Sequence, residues 1–315
     1  MRAALLLSVL LLVLPQCATA PSAPPREMVD PARPVLSLCG EPLGEIALSE
    51  EQRVEQTTKL EEARAELAND PSSVEAHIWV GRRLGYLWRY REAIAALTDA
   101  IERFPGDPRL YRHRGHRYLT IRELDRAVAD LSHAAELMKG RADEVEPDGL
   151  PNAAGVPTST LGSNIFYHLG LAHYLRGEFE AAEASYRRCL EYATTDDMWV
   201  ATCDWLVMTL RRAGKEAAVR EMLEAVGEDR EILENHAYLD RLRMYQGRLE
   251  PEDLLSRGDG DLAIATYGYG VAEYWLSVGR EEEALALMRR VTSGRYWPAF
   301  GYLAAEAELC RREGP

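Results

Sequence analysis

The chain is short of cysteine, short of positive charge and without a familiar catalytic signature. Its five cysteines are scattered through 315 residues, and no two stand in a CxxC pair. That spacing excludes the clustered-thiolate zinc sites. Acidic residues outnumber basic ones, 51 to 37, for a formal net charge of −14. Such a surface repels a phosphate backbone, so nucleic acid is not an expected partner. There is no P-loop, no glycine-rich dinucleotide fingerprint, no HExxH and no GxSxG. No catalytic residue, metal or cofactor is therefore expected. The leading apolar run, Ala3 to Leu14, is too short to cross a bilayer core comfortably as a mature helix.

What stands at the start is a targeting signal. Arg2 precedes the apolar run, and residues 1–20 read as a secretory or lipoprotein signal peptide. Ala18-Thr19-Ala20 offers a small-residue cleavage site, although the fixed ring of Pro21 fits poorly in an extended protease groove. The other reading is a lipoprotein signal, with Leu14 shortly before Cys17. Several acyl chains on Cys17 would then anchor the protein to the membrane. Either way the protein is exported, periplasmic or envelope-anchored. Residues 21–48 hold Pro21, Pro24, Pro25, Pro31, Pro34 and Pro42 and read as an extended tether.

A helical pattern starts at the capping box Ser49-Glu50-Glu51-Gln52, and residues 49–73 should carry an N-terminal helix. Beyond it the sequence repeats. Gly81, Ala93 and Ala100 recur at one constant offset as Gly115, Ala127 and Ala134. A second, longer offset, again constant, leads from these to Gly170, Ala182 and Cys189. The excess of the second offset over the first marks one insertion.

These units resemble the tetratricopeptide repeat, whose period of about 34 residues equals the first offset. The first unit supplies Gly81, Tyr90, Ala93, Leu97, Ala100 and Pro105. The second supplies Tyr111, Gly115, Tyr118, Ala127, Leu131 and Ala134. The third supplies Phe166, Leu169-Gly170, Phe179, Ala182, Tyr186 and Cys189. The resemblance covers residues 74–107, 108–139 and 163–196, with an inserted loop at 140–162. It implies an all-α fold, a right-handed superhelical array of antiparallel helix pairs. The match thins into a degenerate fourth unit (197–226), an irregular helical segment (227–262), another degenerate unit (263–298) and a closing helix (299–315). Each unit alone buries one face, and stacking covers the other. Glycine on the first helices, opposite alanine or Cys189 on the second, would permit close approach, with Leu97, Leu131 and Tyr186 filling the gaps.

In that family the first helices line a concave groove that accepts a peptide. The resemblance places Arg82 and Tyr86 there from the first unit, and Arg109, Arg112 and His116 from the second. The third adds Asn164, Tyr167, Leu171 and Tyr174. Asp204, Met208, Arg211, Tyr269 and Glu273 follow from the degenerate units. Residues 109–117 hold four arginines, two histidines and no acid. Arg109, Arg112 and His116 share one helix face, and guanidinium forks suit carboxylates. An acidic peptide or a C-terminal carboxylate is the expected partner. The alternative is a solvated face paired with the chain's own acids. The Lys and Asn of the family's chaperone-binding clamp are replaced by Arg112 and His116, so a chaperone tail is not expected. Prolines 147, 151 and 157 exclude a continuous helix across the insertion. It could fold over the groove and bring Asp143, Glu144, Glu146 and Asp148 onto the basic face.

His113 and His116 lack a third metal ligand at suitable spacing, and Asp259-Gly260-Asp261 reads as a turn. Cys189 and Cys203 lie near each other in the repeat scheme. They either form a disulfide or remain buried thiols. The expected function is a protein–protein interaction scaffold of the bacterial cell envelope. The alternative is a helical enzyme without a motif, which would show a deep pocket of converging ionisable groups.

Overall fold

A computed structural model describes residues 33–257 and 260–314. The signal segment with Cys17, the start of the tether and Asp259 lie outside the described residues. The described chain is helical, with isolated bridges at Leu36–Pro42 and Val145–Thr160. Helix α1 (Glu50–Asn69) precedes four antiparallel pairs: α2 (Val74–Tyr86) with α3 (Tyr90–Arg103), α4 (Pro108–Thr120) with α5 (Leu124–Met138), α6 (Leu161–Arg176) with α7 (Phe179–Tyr192), and α8 (Asp196–Arg212) with α9 (Glu216–Glu224). Then come α10 (His236–Tyr245), the short α11 (Pro251–Leu255), the pair α12 (Asp261–Ser277) and α13 (Glu281–Thr292), and α14 (Phe300–Glu313). The architecture is an α-solenoid of helix pairs. No helix among the described residues is long and apolar enough to cross a membrane.

Local chemistry sets the helix ends. Ser49 and Gln52 cap α1 reciprocally, at 3.1 and 3.0 Å. Asp107 caps α4 ahead of Pro108, whose missing N–H costs nothing at the first helical position. Thr160 and Ser163 form a second capping box at α6. Inside every pair the turn is the same: one residue of positive φ stands just before the residue that leads into the second helix. It is Gly177, Gly214 or Gly279 in three pairs, but Trp88 (φ 63°) and Arg122 (φ 65°) in the first two. A side chain in that region costs on the order of 1 kcal/mol. Both residues are held there by tertiary contacts described below.

Packing within the repeats follows one register. A Cβ added to Gly81 would lie 2.8 Å from Leu97 Cγ, one on Gly115 2.8 Å from Leu131 Cγ, and one on Gly170 2.7 Å from Tyr186 Cε1. The contacted residue follows its glycine at the same sequence offset in all three units. Ala93, Ala100, Ala127, Ala134, Ala182 and Cys189 are fully buried beside these contacts.

The C-terminal helices turn back into the array. Helix α14 lies against α6, α12 and α13, and its residues 301–309 are all buried. Arg122 donates to both Glu306 oxygens (3.1 and 2.9 Å) and to the Trp297 carbonyl (2.9 Å). Arg311 donates to the Leu175 carbonyl (2.9 Å), and the Tyr174 and Tyr269 hydroxyls meet at 2.6 Å. One expectation is corrected here and one open alternative is decided. Over residues 33–48 the proline-rich segment is a strap rather than a tether. Cys39 is disulfide-bonded to Cys310, Leu38 N–H donates to Glu306 (2.7 Å), and the Gly44 carbonyl accepts from Trp297 (2.8 Å). Cys189 and Cys203 do not pair: both are buried free thiols, and Cys189 donates to the Ser163 carbonyl.

Gly115→Val forces a branched side chain against Leu131 and should cost about 1–3 kcal/mol, seen as a lower melting temperature. Gly106→Ala, with open space around it, should change stability by less than about 0.5 kcal/mol. Cys39→Ser should cost about 2–4 kcal/mol in denaturant unfolding, and reduced wild-type protein should unfold at the same midpoint as this variant.

Candidate functional site

The inner faces of α2 and α4 bring the basic run of the sequence into a partly enclosed space. Arg82 and Tyr86 stand one turn apart on α2. Arg112, His113, His116 and Arg117 project from α4. Room for them comes from two glycines one turn apart on α2: Gly81 admits Leu97, and Gly85 faces Arg117, whose Nη1 would lie 2.6 Å from an added Cβ. A basic cavity of about 120 Å³ is bounded by these arginines and histidines and by Glu146. An adjoining aromatic cavity of about 550 Å³ shares Tyr86, His116 and Arg117 with it.

The inserted loop lies over the basic face. Arg112 Nη2 is 2.8 Å from Glu146 and Arg109 Nε is 3.7 Å from Glu144. Arg82 donates to the Pro147 carbonyl (2.7 Å) and Arg83 to the Gly149 carbonyl (3.4 Å). Gly149 lets the loop lie close to α2, because a Cβ there would displace the Tyr86 hydroxyl, 1.6 Å away. The Val145–Thr160 bridge and the Glu146 N–H to Ser159 carbonyl bond (3.1 Å) fix the loop from behind.

Desolvation dominates the electrostatics. Burial pushes the Arg112 guanidinium down to about 10 against the opposing pull of Glu146, and pushes the Glu146 carboxyl up. Arg112 donates to His113 Nδ1 (3.0 Å), and Arg117 donates to His116 Nδ1 (2.8 Å). Arginine can only donate, so each Nδ1 accepts and each ring is neutral with its proton on Nε2. Burial and the nearby arginines hold His113, His116 and His168 well below the usual imidazole range. The His116 and His168 rings lie 4.2 Å apart. No serine, threonine or cysteine lines either cavity among the described residues. The guanidinium groups that line the basic cavity are able to donate to an anion.

The sequence-derived groove residues divide into two groups. Arg82, Tyr86, Arg109, Arg112 and His116 gather around the loop and the basic cavity. Asn164 donates to Ser159 (2.8 Å), and Tyr167 is buried with its hydroxyl 3.4 Å from Tyr238. Tyr174 and Tyr269 are corrected from groove to core: both are 0% exposed, because Tyr269 of α12 meets Tyr174 of α6 and α14 lies against both helices. Leu171 and Met208 are also core, and Glu273 is 1% exposed. Asp204 lies 2.8 Å from Arg241 Nη2 in a fully buried ion pair, and burial lifts its carboxyl to about 6. Arg211 stacks 4.4 Å above the Tyr245 ring. Sequence reasoning passed over Arg117 as a site residue. Its available signal was Gly85, a second glycine one turn after the family glycine.

In the unfolded chain the three histidines protonate below about 6.5. Their folded pKa values are depressed, so their contribution to stability is present above that pH and lost as pH falls. Each proton is worth up to about 1.4 kcal/mol per pH unit. Asp204, with a raised pKa, acts in the opposite sense. His116→Gln should therefore flatten the fall in urea midpoint between pH 7.5 and 5.5 relative to wild type.

Residues 163–196 match the family model of the tetratricopeptide repeat. No curated protein matches the chain by sequence. Similar solved structures include YrrB, a TPR protein with an unusual peptide-binding site. It is 13% identical, with a TM-score of 0.43 over 80% of this chain and 99% of that one. A tetratricopeptide repeat protein from Parabacteroides merdae ATCC 43184 is also 13% identical, with a TM-score of 0.46 over 81% of this chain and 93% of that one. The matched unit comprises α6, α7 and the turn at Gly177, so this one helix pair is similar to a tetratricopeptide repeat.

Proposed function

We propose that the chain is a protein-interaction scaffold of the cell envelope that binds an extended acidic peptide segment across α2 and α4. One observation carries the reading: the groove already holds such a segment from the chain itself. Glu144 to Gly149 runs over the arginines, with its carboxylates at Arg109 and Arg112 and its carbonyls at Arg82 and Arg83. Carbonyl contacts accept any extended peptide, and the paired arginines select for acid. The loop is then a tethered competitor that keeps Arg112 from being buried without a counter-charge until a partner replaces it. The leader Arg2 to Leu14 and the Cys39–Cys310 disulfide support export to an oxidising compartment. Lipidation at Cys17 would place the scaffold on a membrane.

The test uses the loop as its own ligand. Residues 142–150 are replaced by a Gly-Ser run of equal length, and a synthetic peptide of residues 142–150 is titrated in trans. The peptide should bind the replaced protein at least about tenfold tighter than wild type, where the tethered copy competes. Arg112→Glu in the replaced protein should abolish binding. Equal binding to both proteins, or none to the replaced one, rejects the groove as a peptide site.

A further inference from the structure

We propose that the aromatic cavity beside the groove is a separate binding site for a small amphiphilic carboxylate, an anionic head carried on a flat apolar body. This goes beyond the peptide reading and rests on Arg117, Gln56 and Trp88, none of which that reading uses.

The cavity holds about 550 Å³, within the range of small-ligand sites. Its walls bring together parts of the chain that are distant in sequence. The strap contributes Ile46 and Leu48, the turn after α2 contributes Trp88, the start of α3 contributes Tyr90, and the approach to α14 contributes Tyr296 and Phe300. Leu150 of the inserted loop also lines it and is 63% exposed, an apolar side chain left at the rim. Trp88 meets Tyr90 and Tyr296 edge-on, at 6.1 and 5.3 Å. These contacts hold Trp88 at positive φ, the strained position that glycine fills in three other pairs. The strain aims the indole into the cavity wall.

Three polar groups converge on this apolar space. Arg117 has the His116 Nδ1 and the Tyr90 ring, 5.5 Å from its Cζ, as neighbours, and no carboxylate among the described residues pairs with it. It contrasts with Arg112, Arg114, Arg122 and Arg241, each of which meets an acid. Gln56 is 8% exposed and lines the cavity, and its Oε1 has no hydrogen-bond partner among the described residues. The Trp88 Nε1 donor is buried and unpartnered in the same way. A half-buried cation without a counter-charge and two unsatisfied polar groups are each costly. A carboxylate would take the Arg117 fork, and the indole N–H suits a second acceptor. The aromatic walls suit a planar ring packed edge and face. One unpaired guanidinium matches a single negative charge, so a dianion or a highly charged head is disfavoured.

The probes are 2-naphthoate and its uncharged counterpart 2-naphthylmethanol, titrated into the full chain by calorimetry, with quenching of tryptophan fluorescence as a second readout. Naphthoate should bind with a Kd below about 1 mM and at least about tenfold tighter than the alcohol. Arg117→Met should erase that preference. Arg82→Met, which alters the wall of the basic cavity and not that of the aromatic one, should leave naphthoate binding unchanged. Absence of naphthoate binding, equal affinity for the alcohol in wild type, or loss of binding in Arg82→Met but not Arg117→Met each overturns the assignment. The wild-type comparison of acid and alcohol decides the matter should Arg117→Met fail to fold. Peptide binding to the loop-replaced protein does not depend on this outcome.

Discussion

The Glu306 carboxylate binds the strap and the last helix to the second helix pair. It accepts from Arg122 in the turn of the second helix pair and from the Leu38 backbone in the strap, and it does so from the buried face of α14. Both carboxylate oxygens and their donors are satisfied, which is the condition under which a buried charge is tolerated. The nearby Cys39–Cys310 bond joins positions 271 apart over the same region. Once α14 is seated, the concave face that an open array would present is divided. The half around α6 and α8 becomes core, with Tyr174, Trp205 and Tyr269 packed together. The half around α2 and α4 stays accessible and is walled by the strap, the loop and Phe300.

That division explains the electrostatics. A chain of net charge −14 gathers Arg82, Arg112 and Arg117 around one small space. Among the described residues the acid that lines this space is Glu146, and the insertion delivers it. Arg112 and Glu146 shift in directions that show the cost of burial outweighing their mutual attraction. This pair borders the basic cavity. Buried structural pairs such as Arg114–Asp130, with two bonds at 2.7 and 2.8 Å, have no such access.

The strained turns at Trp88 and Arg122 belong to the same scheme. A glycine at either place would relieve the backbone but forfeit the side chain that meets Tyr296 or Glu306. The first two repeats carry the departure where Trp88 and Arg122 themselves supply contacts to the returning C-terminal segment; at the Gly177 turn Arg311 supplies that contact, and the turns at Gly214 and Gly279 have open space around them.

The helix pairs were legible in the sequence because their causes are local. A glycine on the first helix, a large apolar residue at a fixed offset on the second, a cap and a turn all act within one unit, and the constant period repeats them. The basic face was legible too, since Arg109, Arg112 and His116 fall on one side of α4 by spacing alone. The stretch from 227 to 262 was less so. Its backbone is organised by Asp197, which accepts from the Leu233, Glu234 and Asn235 N–H groups at 2.8–2.9 Å across a wide gap in sequence. The enclosure of the site, the core role of Tyr174 and Tyr269, and the pairing of Cys39 with Cys310 were decided by tertiary structure. They rest on contacts between partners separated by 95, 184 and 271 positions. Periodicity reports which face of a helix is apolar, but many partners could cover that face. Which one does is fixed only when the whole chain competes for the same buried space.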